Sequence, residues 1–151
     1  MRNLFHLMLL AAFVLMSTLV RADELLIARS GQNFEEAMST LQNSISQHGY
    51  KVARVQRVDV GLTAKGYKTD KYRVVFFGKP DEISMLSKKY PDLIPYLPMS
   101  VAIFAEEGNT LISTARPGLL AEFYPDPELK PIFARWEKDL VAIFDEVREA
   151  N

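Results

Sequence analysis

Few residues in this chain have the chemistry for catalysis or metal binding. Histidine occurs only at His6 and His48, and there is no cysteine. A lone imidazole with no nucleophile or second histidine near it in sequence makes a poor general base or metal site. One residue before Gly49, His48 suits the end of a helix, where partial positive charge is favourable. Met38, Met85 and Met99 could complete a soft-metal set with His48, which is the basis for reading the chain as a haem or copper carrier. Met38 and Met85 fall within or beside apolar stripes and Met99 opens a strand, so core packing accounts for all three. The acidic pairs Asp81–Glu82, Glu106–Glu107 and Asp145–Glu146 could supply an acid and a base. A helix N-terminus, a hairpin tip and a solvated helix face explain them in turn. An enzyme using carboxylate or tyrosine acid–base chemistry would need a cleft holding an acid of raised pKa, which is a property of the fold and not of spacing. No catalytic residue is singled out, and the residues call for no metal and no cofactor.

Two basic segments are candidates for holding an anion. Lys65, Lys68 and Lys71 lie in a glycine-containing connection without phosphate-loop spacing, so a solvated loop is the simpler account. In "TARPGLL" a strand end runs into Pro117 and Gly118, which would aim free N–H groups outward beside Arg116. The stretch "YPDLIPYLP" puts Pro91, Pro95 and Pro98 between a helix and an apolar strand. Each proline pushes the residue before it out of the helical region, so the segment reads as a stiff corner closing an edge of the core. Rigid loops beside strand ends also form pockets, and Tyr96 has an apolar ring with a polar tip. Tyr96, Lys79 and Arg116 are the candidate ligand-binding residues.

The elements that must position these residues follow from periodicity. "ELLIARS" reads as a strand. In the next segment Phe34, Ala37, Met38, Leu41 and Ile45 form one helical stripe, with Asn33 as N-cap, Glu36 at the capping-box position and Gly49 as the stop. "YKVARVQRVDV" is strand-like, with a phase slip between Val55 and Val58 that predicts a bulge or bend. "GLTAKGYKTDK" is a polar connection. "YRVVFFG" is apolar on both faces, so both are expected to be covered. "KPDEISMLSKKY" begins a helix at Pro80 with Ile83 and Leu86 on its buried side, and Pro91 ends it. "MSVAIFAEEGNTLISTA" has the form of a hairpin with Gly108 at a positive-φ position. A short helix in "RPGLLAEFY" and a proline-punctuated turn precede a terminal helix from about Pro131. There Ile132, Phe133, Trp136, Leu140, Ile143, Phe144 and Val147 keep helical spacing. The order β-α-β-β-α-β-β-α predicts one α+β domain with a mostly antiparallel five-stranded sheet and helices packed on it.

The first residues address the compartment. Arg2 followed by "LFHLMLLAAFVLMSTLV" and then "VRA" is the pattern of a secretory signal peptide over residues 1–22, cut between Ala22 and Asp23. A periplasmic or secreted protein is expected. No cysteine follows the apolar core, which excludes a lipoprotein. Setting aside Arg2 and Arg21, 16 basic residues of the 18 remain against 19 acidic ones. That average gives no reason to expect nucleic acid or a membrane as partner. Without disulfides the domain must be held by its core alone.

The combination of "FFGKP", "YPDLIPYLP", "MSVAIF" and "AEEGN" resembles the bacterial and archaeal domain-of-unknown-function family number 302. The matching features are a turn at Gly78-Lys79-Pro80, then Leu97-Pro98 before the strand Met99 to Phe104, and an acidic-glycine tip over Glu106 to Asn109. Lys79 stands where that family carries asparagine. The resemblance implies a small α+β domain, dimeric, with no established activity and no functional residues to transfer. Strands apolar on both faces, with few helices to cover them, independently point to a homodimer. The sequence therefore reads as an exported binding or accessory protein whose partner is a small molecule or a protein.

Overall fold

The computed structural model describes residues 24–150. The leader expected at residues 1–22 lies outside the described residues. Strand β1 (Leu25–Ser30) alternates exposed and buried residues, with Leu26, Ala28 and Ser30 inward. Helix α1 (Phe34–Gln47) starts where the sequence places it. The Asn33 side chain accepts the N–H groups of Glu35 and Glu36 at 3.0 and 3.1 Å, and Glu36 reaches back to the Asn33 N–H at 3.3 Å. Gly49, at φ +78°, turns the chain into β2 (Lys51–Arg57).

Beyond β2 the structure departs from the sequence expectation. Val58–Ala64 is a helix, α2, where strand and then polar connection were expected. The phase slip after Val55 marks the end of β2, and the bulge itself lies earlier, between Val52 and Arg54. β-branched residues and a glycine give "VDVGLTA" little helical propensity, but tertiary contact overrides that. Asp59 accepts the Val60 N–H at 2.9 Å and pairs with Arg73 of the next strand. That guanidinium holds the Asp59 carboxyl below its ordinary value.

Strand β3 (Tyr72–Gly78) leads into α3 (Pro80–Lys89), a 3₁₀ segment (Pro91–Tyr96) and the hairpin β4 (Met99–Glu106) and β5 (Asn109–Ala115). Met85, expected to pack, is exposed on α3, while Leu86 takes the buried position. A short 3₁₀ turn (Pro117–Leu119), α4 (Leu120–Phe123) and the long α5 (Lys130–Glu149) complete the chain.

The five strands form one antiparallel sheet in the order β1-β5-β4-β3-β2. The molecule is a single α+β domain, as the element order predicts. Helices α1 and α5 pack together on one sheet face. There Ile45, Leu41, Phe133 and Ile143 bury against Val75, Phe77, Ile103 and Ile112. Within one chain the helices cover only one of the two faces of β3. Val75 and Phe77 are buried, whereas Val74 and Phe76 are half-buried on the face away from the helices.

Candidate functional site

That second face carries the site. Cross-strand pairing aligns Ile27, Ser113, Ala102, Val74 and Gln56 in one row across the sheet. A neighbouring row runs Arg29, Leu111, Phe104 and Tyr72. An antiparallel sheet with a solvated face normally alternates apolar inward and polar outward. Here the outward positions remain largely apolar.

At one end of this face the β4–β5 ladder stops at Ala102 and Ser113. The strands then part, and the Thr114 hydroxyl donates to the Ser100 carbonyl at 2.7 Å. A cleft of about 600 Å³ opens around this divergence. Val74 and Phe76 form one wall. Tyr96 and Leu97 form the rim, and Leu119 and Phe123 also line the cleft. Trp136 and Leu140 of α5 line it from the helical layer. Both are core residues, so the cleft reaches the interior, while Phe123 and Tyr96 are 75% and 49% exposed at its mouth.

The proline segment is shaped to hold that rim. Leu93 is its buried anchor, and the Leu97–Pro98 bond is cis. Tyr96 meets Tyr124 edge to face, and Tyr124 donates to the Asp92 carbonyl at 2.9 Å. Loss of hydration, with Tyr96 alongside, holds the Tyr124 phenol above its ordinary value.

Two of the three residues predicted from sequence come together. Tyr96 and Arg116 both line the cleft. Lys79 stands elsewhere, with its ammonium 4.9 Å from the ring centroid of Tyr50. The anion site expected in "TARPGLL" is filled by the chain itself. Glu137 accepts from Arg116 at 2.5 Å and from the Gly118 N–H at 3.1 Å. The charge of Arg116 is thereby matched within the protein.

At least one member of each acidic pair is engaged outside the cleft. Glu82 pairs with Arg135, Glu106 with Arg29 at 2.5 Å and Asp145 with Arg148 at 2.8 Å. Glu146 accepts from Ser44 and lies 2.9 Å from His48 Nε2. Tyr50 donates to Asp139 at 2.6 Å, and burial together with that bond raises its phenol well above the ordinary value. No carboxylate or imidazole is among the cleft-lining residues. Among the described residues, no three or more His, Asp or Glu side chains are grouped to hold a metal ion.

Phe123, Trp136, Val74 and Phe76 belong to the cleft but were not singled out in the sequence. The signal for the last two was present in "YRVVFFG", whose apolar residues point both ways. Trp136 reads only as core, because its helical stripe does not reveal that the strands part in front of it.

A family model described as domain of unknown function DUF302 matches residues 27–147. The chain belongs to that family. The crystal structure of uncharacterized conserved protein DUF302 from Bacillus stearothermophilus is similar, with a TM-score of 0.75 and 26% identity. The match covers 84% of this chain and 100% of that one. No curated protein matches. This DUF302 chain therefore shares its fold across nearly the whole described length, and its cleft must be interpreted from its own residues.

Proposed function

We propose that the protein is an exported, non-covalent binder of a small apolar or amphipathic molecule, working as a homodimer. The cleft between the diverging strands carries the binding reading. Its volume suits a small organic ligand, and a mostly apolar lining with a few hydroxyls is the usual composition of such sites. With Arg116 neutralised by Glu137 and no carboxylate in the lining, the ligand carries no net charge. Ser100, Ser113 and the Tyr96 hydroxyl supply hydrogen bonds that orient it.

Trp136 is the only tryptophan of the chain and lines the cleft, so its emission reports occupancy. Titration with the uncharged fluorophore N-phenyl-1-naphthylamine should quench Trp136 saturably, and Phe123→Ala should weaken the probe several-fold. Absence of saturable quenching would remove the binding reading.

Self-association is supported by a second observation. Leu25 and Ile27 are 52% and 60% exposed on the uncovered sheet face, beside Leu111 and Phe104. An apolar face of this kind is stable in water when another layer covers it. Two copies of one sheet face can pack about a two-fold axis at the usual separation of roughly 10 Å. The second copy then roofs the cleft. Sedimentation velocity should give a dimer for the unaltered chain and a folded monomer for Ile27→Glu. A concentration-independent monomer in the unaltered chain would end this part of the proposal and leave the cleft reading intact.

A further inference from the structure

Charge is divided unevenly between one margin of the sheet and everything else. Residues 51–71 contain Lys51, Arg54, Arg57, Lys65, Lys68 and Lys71 against Asp59 and Asp70. That leaves ten of the 16 basic residues for the rest of residues 23–151, but seventeen of the 19 acidic ones. The basic segment is one structural unit. It comprises β2, the edge strand hydrogen-bonded only to β3, then α2 and the turn leading back into the sheet. Every residue of β2 is exposed except Gln56, which is half-buried.

The charges of this margin are largely uncompensated. Asp59 is committed to Arg73. Lys71 reaches Glu35 at 2.5 Å. Among the described residues, no carboxylate pairs with Lys51, Arg54, Arg57, Lys65 or Lys68. The same unit also exposes apolar side chains: Val52 at 36%, Val55 at 37%, Val60 at 48% and Tyr67 at 63%.

Basic residues alone would serve to keep a sheet edge from pairing with another chain. Exposed valines among them work against that purpose. They add nothing to a nucleic-acid contact, which uses charge and stacking rings, and Tyr67 is the one ring among the exposed apolar residues of this unit. Basic side chains interleaved with apolar ones match the interface of an anionic bilayer, where charge meets headgroup phosphates and the apolar groups enter the layer beneath.

We propose that the margin formed by β2, α2 and the following turn docks on an anionic membrane surface. Lys51, Lys65 and Lys68 contact lipid phosphates, and Val60 and Tyr67 insert into the interfacial layer. This inference is independent of the cleft and of the dimer. Cross-strand pairing of Arg54 with Phe76 does set the margin one strand away from the cleft wall.

The test is flotation of the chain, as its producing cell processes it, with two kinds of vesicle. One is phosphatidylcholine alone and the other is phosphatidylcholine mixed with phosphatidylglycerol. The expected result is binding to the mixed vesicles that high salt abolishes. Lys51→Gln/Lys65→Gln/Lys68→Gln should lower it by about a hundredfold, since each basic residue near the surface contributes about fivefold. Val60→Ser/Tyr67→Ser should weaken it with the salt dependence retained. Equal binding to both vesicles, or triple-variant binding equal to that of the unaltered chain, overturns the proposal. Tighter binding to duplex DNA than to the mixed vesicles does the same. Aggregation of the triple variant with unchanged lipid partition assigns the basic residues to edge protection and also overturns it.

Discussion

Tyr96 and Tyr124 meet with ring centroids 6.0 Å apart and ring planes at 73°. The contact joins the proline segment before β4 to the residue that follows α4, two pieces of chain with no strand pairing between them. It ties the exposed ring of Tyr96 at the rim of the cleft to Tyr124, which is half-buried against the core.

Removing one ring separates binding from stability. Such pairs contribute about 0.5–1.5 kcal/mol beyond area burial. Tyr96 is half exposed, so Tyr96→Ala should cost no more than about 1 kcal/mol in denaturant unfolding. The same change should weaken the naphthylamine probe about tenfold by loosening the rim. Tyr96→Phe, which keeps the ring, should retain most of the affinity. A large stability loss with unchanged probe binding would return Tyr96 to the status of a structural corner.

The β4–β5 turn contains a residue that its backbone does not favour. Glu107 and Gly108 are both at positive φ, 49° and 85°, the conformation of a two-residue type I′ hairpin turn. Glycine adopts this without cost, whereas glutamate in the left-handed region costs about 1 kcal/mol. Glu107→Asn should therefore raise the thermal midpoint by a few degrees, and Gly108→Ala should lower it. The opposite order of midpoints would refute this account of the turn.

Glu146 links α5 to the end of α1 and makes stability depend on acid. The Ser44 hydroxyl first, and His48 second, hold its carboxyl below the ordinary value. The folded state thus favours the ionised form. This stabilisation is fully present above the unfolded carboxyl value of about 4.3 and is lost as pH falls through the depressed folded value. Glu146 is nearly half exposed, so the contribution is at most about 1 kcal/mol after solvent screening. Glu146→Gln should lower the thermal midpoint near neutral pH and have little effect in strong acid. An equal loss at both ends of the pH scale would show that packing, not charge, sets the contribution.

Much of the fold is legible in the sequence because it is written in local terms. The capping box at Asn33 and Glu36, the stop at Gly49 and the turn at Gly108 each depend on a few adjacent backbone groups. The apolar stripes of α1 and α5 need only the helical period. Helix α2 escaped this reading because its stabilising partner, Arg73, lies beyond a turn and in the next strand. The setting of β3 is legible only in part for a related reason: alternation shows that both faces are apolar, but not which face the helices leave open.

By itself the sequence determined the α+β class, the strand count, the helix boundaries at capped ends and the absence of thiol chemistry. All of these follow from composition or short-range periodicity. Only the tertiary structure decided that Tyr96 and Arg116 share a cleft while Lys79 does not, and that Glu137 neutralises Arg116. It alone showed that the basic segment 51–71 forms one edge of the sheet, with most of its charges left without a carboxylate partner. Such contacts join residues distant in sequence, and they exist only once the order of strands in the sheet has brought those residues together.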